Sequence, residues 1–166
     1  MKLSHADFVL GLHPSSRGFG WILFDGPNSA FDWGIADVPS HRNSEVLARV
    51  VRLIKKYQPK ILVLEAVDGN DTRRAARIRK LSHSIAERAE KLGIGVRFYS
   101  RDEIRQTFAA DNATTREQIA AAVAKQIDVL APRLPRSRKI WEAENPSLAL
   151  FCAAASVLTH YATFHS

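Results

Sequence analysis

The sequence predicts an α/β fold: a five-stranded mixed sheet, three antiparallel strands followed by two parallel ones, flanked by helices. Three observations carry this. Short apolar runs separated by tight Gly/Pro/Ser turns fill the first third, and "KILVLEAV" holds four consecutive apolar residues, Ile61 to Leu64, as a strand buried on both faces does. Apolar residues at helical spacing fill much of the rest. A chain of 166 residues suits one domain, 1–166, with a full hydrophobic core.

In chain order, Phe8–Leu12, Gly20–Phe24 and Phe31–Val38 read as strands, joined by "HPSSRG" and "DGPNSA". Connections this short suit antiparallel neighbours, hence a meander. In "NSEVLARVVRLIKKYQP", Val46, Leu47, Val50, Leu53, Ile54 and Tyr57 share one helical face; Asn43 or Ser44 can cap it and Pro59 stops it. After the strand in "KILVLEAV" comes a helix from about Asp71 to Leu92, ended by Gly93, then the strand "GVRFYS". Ser100 with Glu103, and Thr114 with Glu117, form capping boxes that each start a helix. "APRLPRSRK" is linker-like, and Pro146 suits the first turn of a last helix running to about Tyr161. The order is β-β-β-α-β-α-β-α-α, without repeats or low-complexity tracts.

Composition narrows the function classes. Charged residues at 25% and hydrophobic residues at 46% describe a folded chain rather than a disordered one. No apolar run approaches the ~20 residues of a membrane span, and Met1 to Asp7 lacks a signal-peptide pattern, so the cytoplasm and no membrane association are expected. One cysteine, Cys152, excludes an internal disulfide and a Cys-cluster zinc site. Lys and Arg number 24 against 17 Asp and Glu, a net charge of +7 that favours a polyanionic partner, nucleic acid above all.

Two strands end in polar residues. In open α/β sheets, sites form beyond the carboxyl ends of parallel strands, so His13 and Glu65 face each other if their strands are neighbours. An Asp in place of His13, joined by acids from the last helix, would hold two divalent metals about 4 Å apart for in-line phosphodiester hydrolysis. Here that set is incomplete. Arg17 is the basic residue nearest this centre. Arg73, Arg77 and Lys80 share one helical face with Arg74 beside them, as either a solvated surface or a phosphate-contacting one. Arg133, Arg136, Arg138 and Lys139 make either an exposed loop or a phosphate clamp, and Trp141 beside them either anchors that loop or stacks on a base. Cys152, on an Ala-rich helix, fits core packing; as a nucleophile it would need a base partner.

"VLGLHPSSRGFGW" resembles the opening of the RuvC-type Holliday-junction resolvases. "ILVLEAV" is similar to their second acidic strand, "VRFYSRDEIRQTFAADNATTREQIAAAV" to the strand and helices that follow, and "FCAAASVLTH" to their terminal helix. The likeness spans nearly the whole chain. It implies an RNase H-like fold, metal-dependent cutting of branched DNA, and a homodimer built on the Asp71–Leu92 helix. Carried over by residue, the family's first Asp falls on His13, its strand Glu on Glu65, its last Asp on Cys152 and the acid one turn earlier on Ala149. Another register offers Glu144 and Ser147.

Glu65 alone is retained. Mg²⁺ takes hard oxygen ligands, imidazole suits softer metals such as Mn or Zn, and a thiol offers Mg²⁺ almost nothing. The leading expectation is therefore a RuvC-like nucleic-acid-binding protein, catalytically impaired or inactive, that binds branched or duplex nucleic acid, DNA above all, or masks it from an active relative, rather than cutting it. Its rival is an active endonuclease using Mg²⁺ or Mn²⁺ at Glu65 and His13, either with Asp68, Glu142 or Glu144 as replacement acids or with one metal and His13 as base. The third is a scaffold or assembly subunit.

Overall fold

The computed structural model describes residues 7–39, 42–67, 72–136 and 145–164. Strands β1 (Val9–Ser15), β2 (Gly18–Gly26), β3 (Ser29–Asp37), β4 (Ile61–Glu65) and β5 (Gly95–Tyr99) form one sheet in the order β3-β2-β1-β4-β5. β1–β2 and β2–β3 are antiparallel, whereas β1–β4 and β4–β5 are parallel. This is the mixed sheet that the apolar runs predict.

Period-two alternation sends side chains to two different cores. Leu10, Leu12, Leu62 and Leu64 pack against α1 (Asn43–Tyr57) and α2 (Arg73–Lys91). On the other face, Val9, Ile22, Phe24 and Val63 pack against α3 (Arg101–Thr107), α4 (Arg116–Gln126) and α5 (Leu148–Phe164). α5 is buried from Leu148 to His160, so its uniformly apolar sequence reflects a helix enclosed by protein. Among the described residues, no helix is long and apolar enough to cross a membrane.

Two glycines let α5 press directly on the sheet. A Cβ at Gly11 would lie 2.7 Å from the Ala153 carbonyl oxygen, and one at Gly20 would overlap the Ala149–Leu150 backbone. Any larger residue would push the helix outward. The closeness of this seam delivers Ala149 and Cys152 to the carboxyl end of β1.

Several boundaries differ from the sequence expectation. Three helices follow β5, one at each capping region and one after Pro146, against two in the order β-β-β-α-β-α-β-α-α, with 3₁₀ turns at Ala109–Asp111 and Asp128–Arg133; the second takes up the first three residues of the linker-like "APRLPRSRK". α1 has Arg42 at its N-cap with no side-chain cap, because Asn43 is already helical and turns its amide to the Arg77 carbonyl at 3.5 Å. α2 starts at Arg73, where the Thr72 hydroxyl accepts from Ala75 N at 3.0 Å. Ser100 and Glu103 form the expected capping box on α3, but the box on α4 is Thr115 with Gln118 rather than Thr114 with Glu117. The Gln118 amide oxygen accepts from both Thr114 N and Thr115 N, which moves the helix start one residue on. α5 begins two residues beyond Pro146, after an Asn145 turn in which the side-chain oxygen accepts from Ser147 N at 2.9 Å, and it runs on to Phe164.

Candidate functional site: an arginine among His13, Glu65 and Cys152

β1 and β4 are parallel neighbours with Leu12 opposite Leu64, so the next residues, His13 and Glu65, emerge together at the carboxyl edge. Both lie on the α5 face by alternation. From α4, the Arg116 side chain reaches into the space between them. Its Nη2 donates to Glu65 Oε2 at 3.3 Å, while Nη1 lies 3.3 Å from Cys152 Sγ and 3.4 Å from His13 Nε2. Three of the four residues onto which the family likeness maps acids, His13, Glu65 and Cys152, thus gather around one guanidinium.

The capping-box shift has a direct consequence here. It makes Arg116 the first residue of α4, one residue after its Thr115 cap. A cation is disfavoured at that end of a helix by the backbone dipole, and the Glu65 carboxylate offsets this.

His13 is held neutral. Burial and the nearby Arg116, Arg101 and Arg74 lower its pKa from 6.5 to about 3. Since a guanidinium only donates, Nε2 must accept from Arg116, which puts the ring proton on Nδ1. Nδ1 is buried and without a hydrogen-bond partner. A protonated base is excluded from this position near neutral pH.

Among the described residues the donor set holds one carboxylate, Glu65, whose Oε2 accepts from the permanent Arg116 cation, and these residues by themselves do not make a two-metal centre. Two unit charges 4 Å apart repel by about 4 kcal/mol at an effective dielectric of 20, and a dication beside Arg116 would meet about twice that. Among the described residues, no group of three or more His, Cys, Asp or Glu is arranged to hold a metal ion. Asp68, Glu142 and Glu144, considered above as replacement acids, lie outside the described residues.

Around this centre runs an open groove of about 650 Å³, lined by the turn after β1, the start of α2, and residues of α3, α4 and α5. His13, Glu65 and Ala149 line it, and so do Arg17, Arg74, Arg101 and Arg116. Of the sequence-predicted basic residues, the groove takes in Arg17, which also pairs with Asp37 at 3.8 Å, and Arg74. Arg77 is partly buried and donates to the Ser16 carbonyl at 3.4 Å, tying α2 to the turn after β1. Arg73, Lys80, Arg133 and Arg136 are exposed away from the groove. Arg138, Lys139 and Trp141 lie outside the described residues. Ala149, not Ser147, faces the groove, in keeping with the register that matches the Thr159–His160 end. Cys152 is buried among core residues of α5, with its sulfur on Arg116. Arg101 and Arg116 were not singled out by the sequence reading, though both share one signal: an arginine directly after a capping Ser or Thr, where helices favour acids.

No family model and no curated protein sequence matches the chain. Solved structures do. RuvC from Thermus thermophilus superposes with a TM-score of 0.67 at 20% identity, over 95% of this chain and 96% of that one. RuvC from the same organism in complex with a Holliday junction substrate gives 0.67 at 19% identity, over 96% of each chain. The yeast mitochondrial Holliday junction resolvase Ydc2 gives 0.56 at 13% identity, over 96% of this chain and 85% of that one. The chain therefore has the RuvC-type, RNase H-like fold.

Proposed function

We propose that this protein binds branched or duplex DNA along the arginine-lined groove and does not hydrolyse it by a two-metal route. The observation that carries the reading is the Arg116 guanidinium seated among His13, Glu65 and Cys152, where the family likeness maps acids. Support comes from the fold shared with a RuvC solved on a Holliday junction substrate, from the net charge of +7, and from four arginines against one carboxylate among the described residues of the groove wall. A homodimer and a cytoplasmic location belong to the same reading.

The test is affinity for a four-way junction, a duplex and a single strand across a salt series, followed by incubation with Mg²⁺ and with Mn²⁺. Steeply salt-dependent binding without products supports the proposal, because each neutralised phosphate contributes about 0.9 to the log–log slope. Products that vanish in Glu65→Gln would instead identify a metal-dependent endonuclease. Absence of binding at low salt would leave a scaffold subunit.

A further inference from the structure

We propose that Arg101, with Arg74 on the same groove, forms a receptor for a backbone phosphodiester of nucleic acid that works without a metal ion. The inference rests on the DNA-binding reading above and names the side chains that would carry it.

Arg101 lies at the junction of the groove with a narrow cleft that leads down to Glu65, Arg116 and Cys152. It is partly buried, and none of the ion pairs among the described residues includes it. The carboxylates nearest in sequence are engaged elsewhere: Asp102 pairs with Arg105 at 3.4 Å, and Glu103 accepts from Ser100 N at 2.9 Å in the capping box. The Glu65 carboxylate is held by Arg116. Burial and the like charge of Arg116 lower the Arg101 pKa and outweigh the opposing pull of Glu65, so the site as a whole disfavours the Arg101 cation. An anion in the cleft mouth would relieve that repulsion. Arg74, exposed in the first turn of α2, adds a second guanidinium on the same wall. Planar guanidinium groups bind phosphate oxygens through paired N–H donors, which a hydrated divalent ion is not needed to mediate. With His13 neutral, the described groove residues Arg17, Arg74, Arg101 and Arg116 against Glu65 leave an excess of positive charge.

The experiment measures binding of a labelled four-way junction to the full chain across a salt series, with a chelator and with Mg²⁺. Arg101→Ala is expected to lower affinity about tenfold and the log–log salt slope by about 1, Arg101→Lys to keep the slope, and Arg74→Ala to lower it similarly. Thermal melting checks that each variant folds, and the exposed Arg74 keeps the test alive if Arg101→Ala does not. Equal affinity with chelator and with Mg²⁺ supports a metal-free receptor. Wild-type affinity and slope in both alanine variants, with junction binding intact, would overturn this inference while leaving the DNA-binding reading in place. Failure of the wild type to bind at low salt would remove that reading itself. In a parallel arm, inorganic phosphate that raises the melting temperature of the wild type but not of Arg101→Ala, with the salt slope unaltered, would show a site for free phosphate and overturn the backbone assignment.

Discussion

Arg116 in the first turn of α4 donates to Glu65 at the carboxyl end of β4, joining residues 51 positions apart across the mouth of the groove. Both side chains are largely shielded from water, the carboxylate more so than the guanidinium. The pair is therefore a structural ion pair, and this differs from a metal-binding carboxylate in a way that stability measurements detect.

Glu65→Gln should destabilise the protein by about 1–2 kcal/mol, between the values for exposed and for fully buried pairs, since it removes the carboxylate charge from the Arg116–Glu65 pair. Urea unfolding monitored by circular dichroism reads this out. A cluster of acids awaiting metal would respond in the opposite sense, because removing one of them relieves repulsion.

Arg116→Ala should create a metal response that the wild type lacks. It leaves Glu65, His13 and Cys152 facing the space the guanidinium filled; in the wild type they are not arranged as metal ligands, so a metal must draw them together, and their O, N and S donors favour Zn²⁺ over Mg²⁺. The expected result is a rise in melting temperature of the variant with Zn²⁺ and none for the wild type with Zn²⁺, Mg²⁺ or Mn²⁺. A wild-type rise with Mn²⁺ would contradict the displacement of metal by Arg116.

His13 links stability to pH. Its pKa is lower in the folded state, about 3 against 6.5, so between these values the unfolded chain holds more protons. Its contribution to stability is full above about 6.5 and is lost as pH falls towards 3, with a slope of up to about 1.4 kcal/mol per pH unit. Carboxylates titrate in the same range, so the informative quantity is the difference between wild type and His13→Gln. The variant should lose stability less steeply on acidification; parallel curves would show that His13 titrates freely.

Gly20→Ala should cost about 3 kcal/mol through overpacking, because the added methyl meets the Ala149–Leu150 backbone and α5 must move. The same displacement shifts Ala149 at the groove wall, so junction affinity should fall along with the denaturation midpoint. Gly26→Ala, where a Cβ meets nothing within 4 Å, is the control and should leave both almost unchanged.

The sheet was legible in the sequence because its signals are local. "KILVLEAV" has the uninterrupted apolar run of a strand covered on both faces, and the short links among β1, β2 and β3 leave little choice but antiparallel pairing. The approach of His13 and Glu65 followed once their strands were neighbours. What escaped was the side chain between them. Arg116 sits in "TTRE", where Gln118 competes with Glu117 for the capping role and sets the helix start one residue later than expected. That single-residue change decides which side chain enters the cleft, and it depends on rotamers and on a partner far away in the chain. Arg101 was hidden for a similar reason: its significance comes from the neighbouring acids being occupied, which only side-chain geometry reveals.

The seam of Gly11 and Gly20 against α5 separates architecture from chemistry. Its contacts are glycine to backbone and to small aliphatic groups, so no acid takes part in holding the helix at its height above the sheet. Residues 149 and 152 are presented at the same place whatever their side chains. Chemistry at the end of this seam can be rewritten without a new backbone, since exchanges at His13, Arg116, Ala149 and Cys152 change the groups presented there while the glycine seam holds the helix in place.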